Sequence, residues 1–220
     1  MRMIANYSKS GALRFTSHLD MQRLMQRALR RAGMPVAYSM GFNPHPQLSF
    51  ASALALGYTS DAEWVDIKLN EHVEPETFVA RMNAALPDGA TILSASVAEG
   101  RSPALTALIE RASYRVDMDF ERPVDQQKII KQIEDMLAGE IIVNKKTKGG
   151  WKDVDIRPQV LLMRLIGLEG QKATFEIEGV LDAYGSLQME LLLQAFTQRL
   201  GETAAWRVHR TSVHFRQLGV

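Results

Sequence analysis

The spacing of apolar and polar positions lays out most of the elements. Ile4 to Ser8 and Ala12 to Thr16 read as extended, with Ser10-Gly11 as a turn between them. Met21, Leu24, Met25, Ala28, Leu29 and Ala32 then recur at helical spacing and form one apolar stripe. Ser17 is the expected N-cap, and Asp20, three residues on, makes a capping-box variant. Gly33 and Pro35 end this helix. Val36 to Met40 reads as a strand, Gly41 to Gln47 as a Pro-rich loop, and Leu48 to Leu56 as a resumed strand. Trp64 to Leu69 alternates as a half-buried strand does. Pro75 opens a second helix with Phe78, Met82, Ala85 and Leu86 inward, Pro87-Asp88-Gly89 turns, and Ala90 to Val97 is a further strand. The order strand, helix, strand, strand, helix, strand is the split βαβ, or ferredoxin-like, pattern.

A related order follows. Tyr114, Val116, Met118 and Phe120 alternate on a strand, and Val124 to Ala138 forms a helix with Ile129, Ile130, Ile133 and Leu137 inward. Ile141 to Asn144 is a short strand, and Lys145 to Gly150 a polar loop. Val160 to Leu168 and Ala173 to Leu181 read as a hairpin, Leu187 to Leu200 as a helix closed by Gly201, and Trp206 to Gln217 as the last strand. The expected fold class is α+β: two ferredoxin-like (split βαβ) domains, or one such domain plus an elaborated α+β domain. The expected boundaries are a domain over 1–98, a connector over 99–112, helical from Pro103, and a second domain over 113–220.

Charge adds a feature that the overall balance hides. The 220 residues carry 26 Lys and Arg against 25 Asp and Glu. Residues 1–50 hold seven basic side chains and one acidic, whereas residues 51–112 hold four basic and nine acidic. A basic surface on a near-neutral chain points to a local anionic partner, or to the acidic segment folding back on the basic one. On the first helix, Arg23, Arg27, Arg30 and Arg31 fall within about 100° of arc, opposite the apolar stripe. Four guanidinium groups on one face repel unless an anion lies over them, and their planar forks suit phosphate. The alternatives are pairing with Asp61, Glu63 or Asp66, and plain solvation.

Two loops extend the candidate surface. In Tyr38-Ser39-Met40-Gly41-Phe42-Asn43-Pro44-His45-Pro46, the flat faces of Tyr38, Phe42 and His45 can stack on a base or planar group, with Asn43 beside them. The competing role for this loop is a turn that plugs the core. Lys145, Lys146, Lys148 and Lys152 interleave with Trp151, a combination suited to single-stranded or looped nucleic acid or to an ordinary solvated turn. Arg14 joins the basic set. His18 and His45 are the acid/base candidates, against capping for His18 beside Ser17 and Asp20. Asp153 to Pro158 alternates charged and aliphatic residues, and Asp155 and Arg157 either pair or face a ligand. No P-loop, dinucleotide fingerprint, His-Glu-x-x-His or nucleophile elbow occurs. No metal site is expected. The absence of cysteine excludes disulfides, thiol nucleophiles and Cys-ligated clusters within this chain. With no apolar signal core at the N-terminus and no membrane-length apolar run, a cytoplasmic protein without membrane contact is expected.

The segments Phe15-Thr16-Ser17-His18-Leu19-Asp20, Arg27-Ala28-Leu29-Arg30-Arg31-Ala32-Gly33, Pro35, Tyr38-Ser39, Gly41-Phe42-Asn43-Pro44-His45-Pro46 and Ser49-Phe50-Ala51 resemble a bacterial domain-of-unknown-function family linked to radical-SAM proteins. The match covers about residues 1–100, and Asp153 to Pro158 looks like a further family segment. Members stand alone or lie C-terminal to cobalamin-binding radical-SAM enzymes. The resemblance implies a radical-SAM partner that carries the iron–sulfur cluster, S-adenosylmethionine and in some cases cobalamin. This chain, lacking Cys-x-x-x-Cys-x-x-Cys, holds no such cofactor. Three functions follow as expectations: an accessory module presenting tRNA or rRNA to that partner, a protein–protein adaptor without RNA binding, and a stand-alone metal-independent RNA-processing enzyme using His18 or His45. The first leads, with no catalysis by this chain alone.

Overall fold

A computed structural model describes residues 1–98, 103–147, 149–182 and 185–216. In chain order the elements are β1 (Arg2–Lys9), α1 (His18–Arg31), β2 (Leu48–Phe50), β3 (Thr59–Lys68), α2 (Pro75–Ala85), β4 (Ala90–Val97) and the single turn α3 (Leu105–Leu108). They continue as β5 (Ile109–Phe120), α4 (Gln126–Ala138), β6 (Ile142–Thr147), β7 (Gly150–Asp155), β8 (Val160–Glu169), β9 (Lys172–Val180), α5 (Met189–Leu200) and β10 (Ala204–Phe215). The fold is mixed α+β. It divides into one unit of residues 1–109 and 210–220 and another of residues 110–209, so β10 contributes to both.

In the first unit the strands lie in the order β4-β1-β3-β10, with β2 also on β3. The β1–β3, β1–β4 and β2–β3 pairs are antiparallel. β1 alternates strictly, with Met3, Ala5, Tyr7 and Lys9 inward. Met21, Met25, Ala28 and Leu29 of α1 and Phe78 and Met82 of α2 complete one core with Val65, Ile67 and Ile92. Each of these side chains other than Ala28, fully buried, is worth about 1.5–3 kcal/mol of transfer free energy. Gly33, at φ +60°, supplies the left-handed residue that closes α1.

In the second unit the order is β10-β5-β9-β8, and β6 pairs only with β7 in a separate two-stranded ribbon. Ile129, Ile133 and Met136 of α4 are buried, while Ile130 and Leu137, read from sequence as inward, are half-buried. On α5, Phe196 meets Phe175 of β9 edge to face at 5.4 Å between ring centroids.

Several sequence expectations are corrected here. Ala12 to Thr16 is not extended: Gly11 to Phe15 form a 3-10 turn. The cause is tertiary, because the Ser10 amide donates to Gly89 O at 2.7 Å and pins the chain to the turn before β4. Gly89 has φ +91°, and a Cβ there would stand 2.7 Å from Ser10 O, so the approach needs glycine. Val36 to Met40 is not a strand but makes two isolated bridges, Val36 to Leu69 and Tyr38 to Pro46. The strand expected to run to Leu56 stops at Phe50. The helix expected from Pro103 is only the α3 turn. The expected Lys145–Gly150 loop is instead mostly strand, its residues supplying the ends of β6 and β7.

Candidate functional site

α1 is built to present its outer face. Ser17 Oγ accepts the Asp20 amide at 3.2 Å, and Asp20 Oδ2 accepts the Ser17 amide at 3.1 Å, the reciprocal capping box read from sequence. Ser17 Oγ also donates to Asp20 Oδ2 at 2.6 Å. These bonds hold the Asp20 carboxyl below its ordinary value of 3.8, with Arg23 and Arg27 adding to the effect. An acid with a lowered folded pKa stabilises the fold above its unfolded value and loses that contribution as pH falls through the folded one. Wild type and Asp20→Asn are therefore expected to differ in thermal midpoint above pH 3.8 and to converge below it. Ser17→Ala is expected to cost about 1 kcal/mol at neutral pH.

Arg23, Arg27, Arg30 and Arg31 are all exposed. Arg23 approaches Asp20 at 3.8 Å, a loose exposed pair. Arg31 Nη2 donates to Ala85 O at 2.7 Å, which steadies the side chain and leaves its charge. The side chains of Arg27 and Arg30 have neither hydrogen bond nor ion pair among the described residues. Two of the carboxylates that could have covered this face are committed elsewhere: Asp66 binds Arg2, and Glu63 binds Arg210 at 2.9 Å. Asp61 has other interactions. Arg14 lies in the turn before α1, its guanidinium 4.5 Å above the Phe15 ring.

The loop after α1 is closed on itself. Ser39 Oγ and His45 Nδ1 share a hydrogen bond at 2.9 Å, the His45 amide donates to Ser39 Oγ at 3.1 Å, and the Ser39 amide donates to His45 O at 2.9 Å. Phe42 and Met40 are almost wholly exposed, Tyr38 about half, and Asn43 and His45 also face solvent. The reading of this loop as a core plug is thus corrected: Phe50 fills that role, packed against Tyr7 and His18 at 5.9 and 5.2 Å. His18 and His45 have different neighbours, and no cluster of three metal-ligating side chains occurs among the described residues.

Lys145, Lys146, Trp151 and Lys152 sit on the β6–β7 ribbon, while Lys148 lies outside the described residues. Asp155 and Arg157 do not join side chain to side chain. Asp155 Oδ1 accepts the Ile141 and Arg157 amides at 2.8 and 2.9 Å, and Arg157 donates to Leu137 O and Val160 O at 2.7 and 2.8 Å. This segment is a structural joint at the base of the ribbon.

Sequence reasoning missed one group. Lys9, Glu63 and Arg210 are buried together with Tyr7 in the first unit. Arg210 reaches Ser52 Oγ as well as Glu63, both at 2.9 Å, and Lys9 Nζ donates to Thr16 O at 2.8 Å. Burial lowers the Lys9 pKa and raises that of Tyr7 well above its usual value. The signal was present in β1, where Lys9 continues the inward parity of Met3, Ala5 and Tyr7. By holding Thr16, Lys9 also fixes the residue next to the α1 cap.

Solved structures share the fold at low identity. One chain of the crystal structure of a Cbf5–Nop10–Gar1 complex is 13% identical, with a TM-score of 0.60 over 96% of this chain and 48% of that one. One chain of an H/ACA RNP bound to a substrate RNA containing 2'-deoxyuridine is 12% identical, with a TM-score of 0.54 over 95% and 46%. One chain of an archaeal box H/ACA sRNP Nop10–Cbf5 complex is 11% identical, with a TM-score of 0.52 over 94% and 46%. The chain spans about half the length of these matched chains. No curated protein matches it. A family model described as "Uncharacterized protein conserved in bacteria (DUF2344)" matches residues 2–199, and the chain belongs to that family.

Proposed function

We propose that this protein is an RNA-binding module that presents tRNA or rRNA to a radical-SAM modification enzyme. The observation that carries the RNA part is the uncovered charge of α1: Arg27 and Arg30 stand exposed while Glu63 and Asp66 are bound to Arg210 and Arg2. Guanidinium groups in that state are ready phosphate contacts. The fold shared with chains of H/ACA RNP structures, one of them solved with a substrate RNA, supports the same reading. The radical-SAM partner rests on the sequence resemblance, and the lack of cysteine assigns the cluster to that partner.

Binding of total cellular RNA tests it. If all four arginines neutralise phosphates, affinity is expected to fall about 50- to 150-fold between 50 and 200 mM salt. Arg27→Glu with Arg30→Glu is expected to weaken binding at 50 mM by more than tenfold and to flatten the salt dependence. Wild-type protein that ignores RNA at the lower salt sinks the proposal. A second reading, docking of the arginine face on an acidic surface of the partner enzyme, is favoured by the same exposed arginines, with Met40 and Phe42 exposed for apolar contact. It predicts that the double variant loses the co-purifying enzyme and that no RNA accompanies the wild type.

A further inference from the structure

The β6–β7 ribbon carries an unbalanced charge and an exposed indole on a rigid root. Its register sets Asn144 opposite Asp153, Lys145 opposite Lys152 and Lys146 opposite Trp151. Opposed residues share a face, and successive residues alternate. Asn144 Nδ2 donates to Asp153 Oδ1 at 2.8 Å, which identifies the face that also carries Lys146 and Trp151. Val143, Lys145, Lys152 and Val154 occupy the other face, where Val143 is buried and Val154 half-buried. Trp151 is 67% exposed.

Like charges directly opposite each other destabilise a strand pair. Lys145 and Lys152 are in that position, and neither pairs with a carboxylate among the described residues. The ribbon's own acids keep their charge but bond to neutral groups, Asp153 to the Asn144 amide and Asp155 to two backbone amides. The Asp155 and Arg157 bonds fix the root of the ribbon to the end of α4 and the start of β8. A ribbon tied at its root therefore presents Lys146 on the same face as the exposed Trp151 ring, and Lys145 and Lys152 on the opposite face.

We propose that this ribbon is an arm for unpaired RNA, with a base stacked on Trp151, a flanking phosphate on Lys146 of the same face, and the strand continuing round the ribbon edge to Lys152 and Lys145. The inference rests on the RNA-binding reading and adds the substrate class to it. In an A-form duplex the base faces are stacked away, so an exposed indole gains only from a splayed base, whereas the lysines alone would serve any polyanion.

The full chain is titrated with a short oligouridine and with a blunt RNA duplex of equal length, by anisotropy and tryptophan quenching. Trp151→Ala is expected to weaken oligouridine binding about tenfold and to leave the duplex unchanged. Trp151→Phe should retain most of the affinity. Lys145→Gln with Lys152→Gln should reduce the slope of log K against log salt by about 1.4 for the single strand. Thermal stability should not fall in that variant, because a repulsion is removed. Undiminished oligouridine binding by Trp151→Ala, with binding lost in Arg27→Glu/Arg30→Glu, overturns the ribbon and keeps the RNA reading. Equal losses for duplex and single strand also overturn it. If wild type binds neither probe, the RNA reading falls and the ribbon proposal with it.

Discussion

Arg210→Met is expected to destabilise the protein by about 3–5 kcal/mol, the usual cost of breaking a buried ion pair from one side. The Glu63 and Arg210 side chains are 2% and 4% exposed, and their contact is 2.9 Å. Without the guanidinium, the carboxylate is a buried charge that has lost its ion-pair partner. At neutral pH the expected fall in thermal midpoint is roughly 6–20 °C, at about 2–4 °C per kcal/mol for a chain of this length. Adding Glu63→Gln should restore part of the loss, because the uncompensated charge is then gone. Thermal melts of wild type and the two variants at pH 7 check this. A single variant that melts within 2 °C of wild type at pH 7 would show that the pair contributes little (about 1 kcal/mol or less).

Adjacent positions on α1 should give opposite results. Leu29→Ala is expected to cost about 2–5 kcal/mol, since Leu29 is 1% exposed and sits in the core of the first unit. Arg30→Ala should change stability by no more than about 0.5 kcal/mol, because its side chain is exposed and touches no carboxylate. The binding readout reverses: Leu29→Ala, assayed well below its midpoint, keeps RNA affinity, while Arg30→Ala loses it and lowers the salt slope by about 0.7–0.9. Urea unfolding and RNA titration on the two variants separate the faces of the helix. Comparable destabilisation by both would mean that Arg30 is part of the packing, and the case for a free cationic face would end.

That contrast was legible in the sequence because helical periodicity and the Ser17–Asp20 cap are local properties. The same holds for β4, whose limits Ala90 and Val97 were read without error between a turn and the following connector. The misreadings share another cause. Ala12 to Thr16 alternates like a strand, yet a distant backbone bond at Gly89 bends it into a turn. Tyr38 to Met40 has strand-like composition, but the Ser39–His45 bonds curl it into a closed loop. Lys145 to Gly150 reads as a loop because its lysines and paired glycines are turn-like in composition, whereas the register that makes its ends part of β6 and β7 is set across the ribbon. The buried Lys9, Glu63 and Arg210 depend on partners up to 158 positions apart, which no local pattern encodes.

The division of β10 between the two units has a consequence for biosynthesis. Glu63 leaves the ribosome 147 residues before its counter-ion. At about 5–20 residues per second, that carboxylate waits roughly 7–30 s for Arg210, while the whole of the second unit is being translated. The N-terminal half of the protein is thus finished last, and a fragment cut at Ile109 would keep a buried acid whose guanidinium was never made.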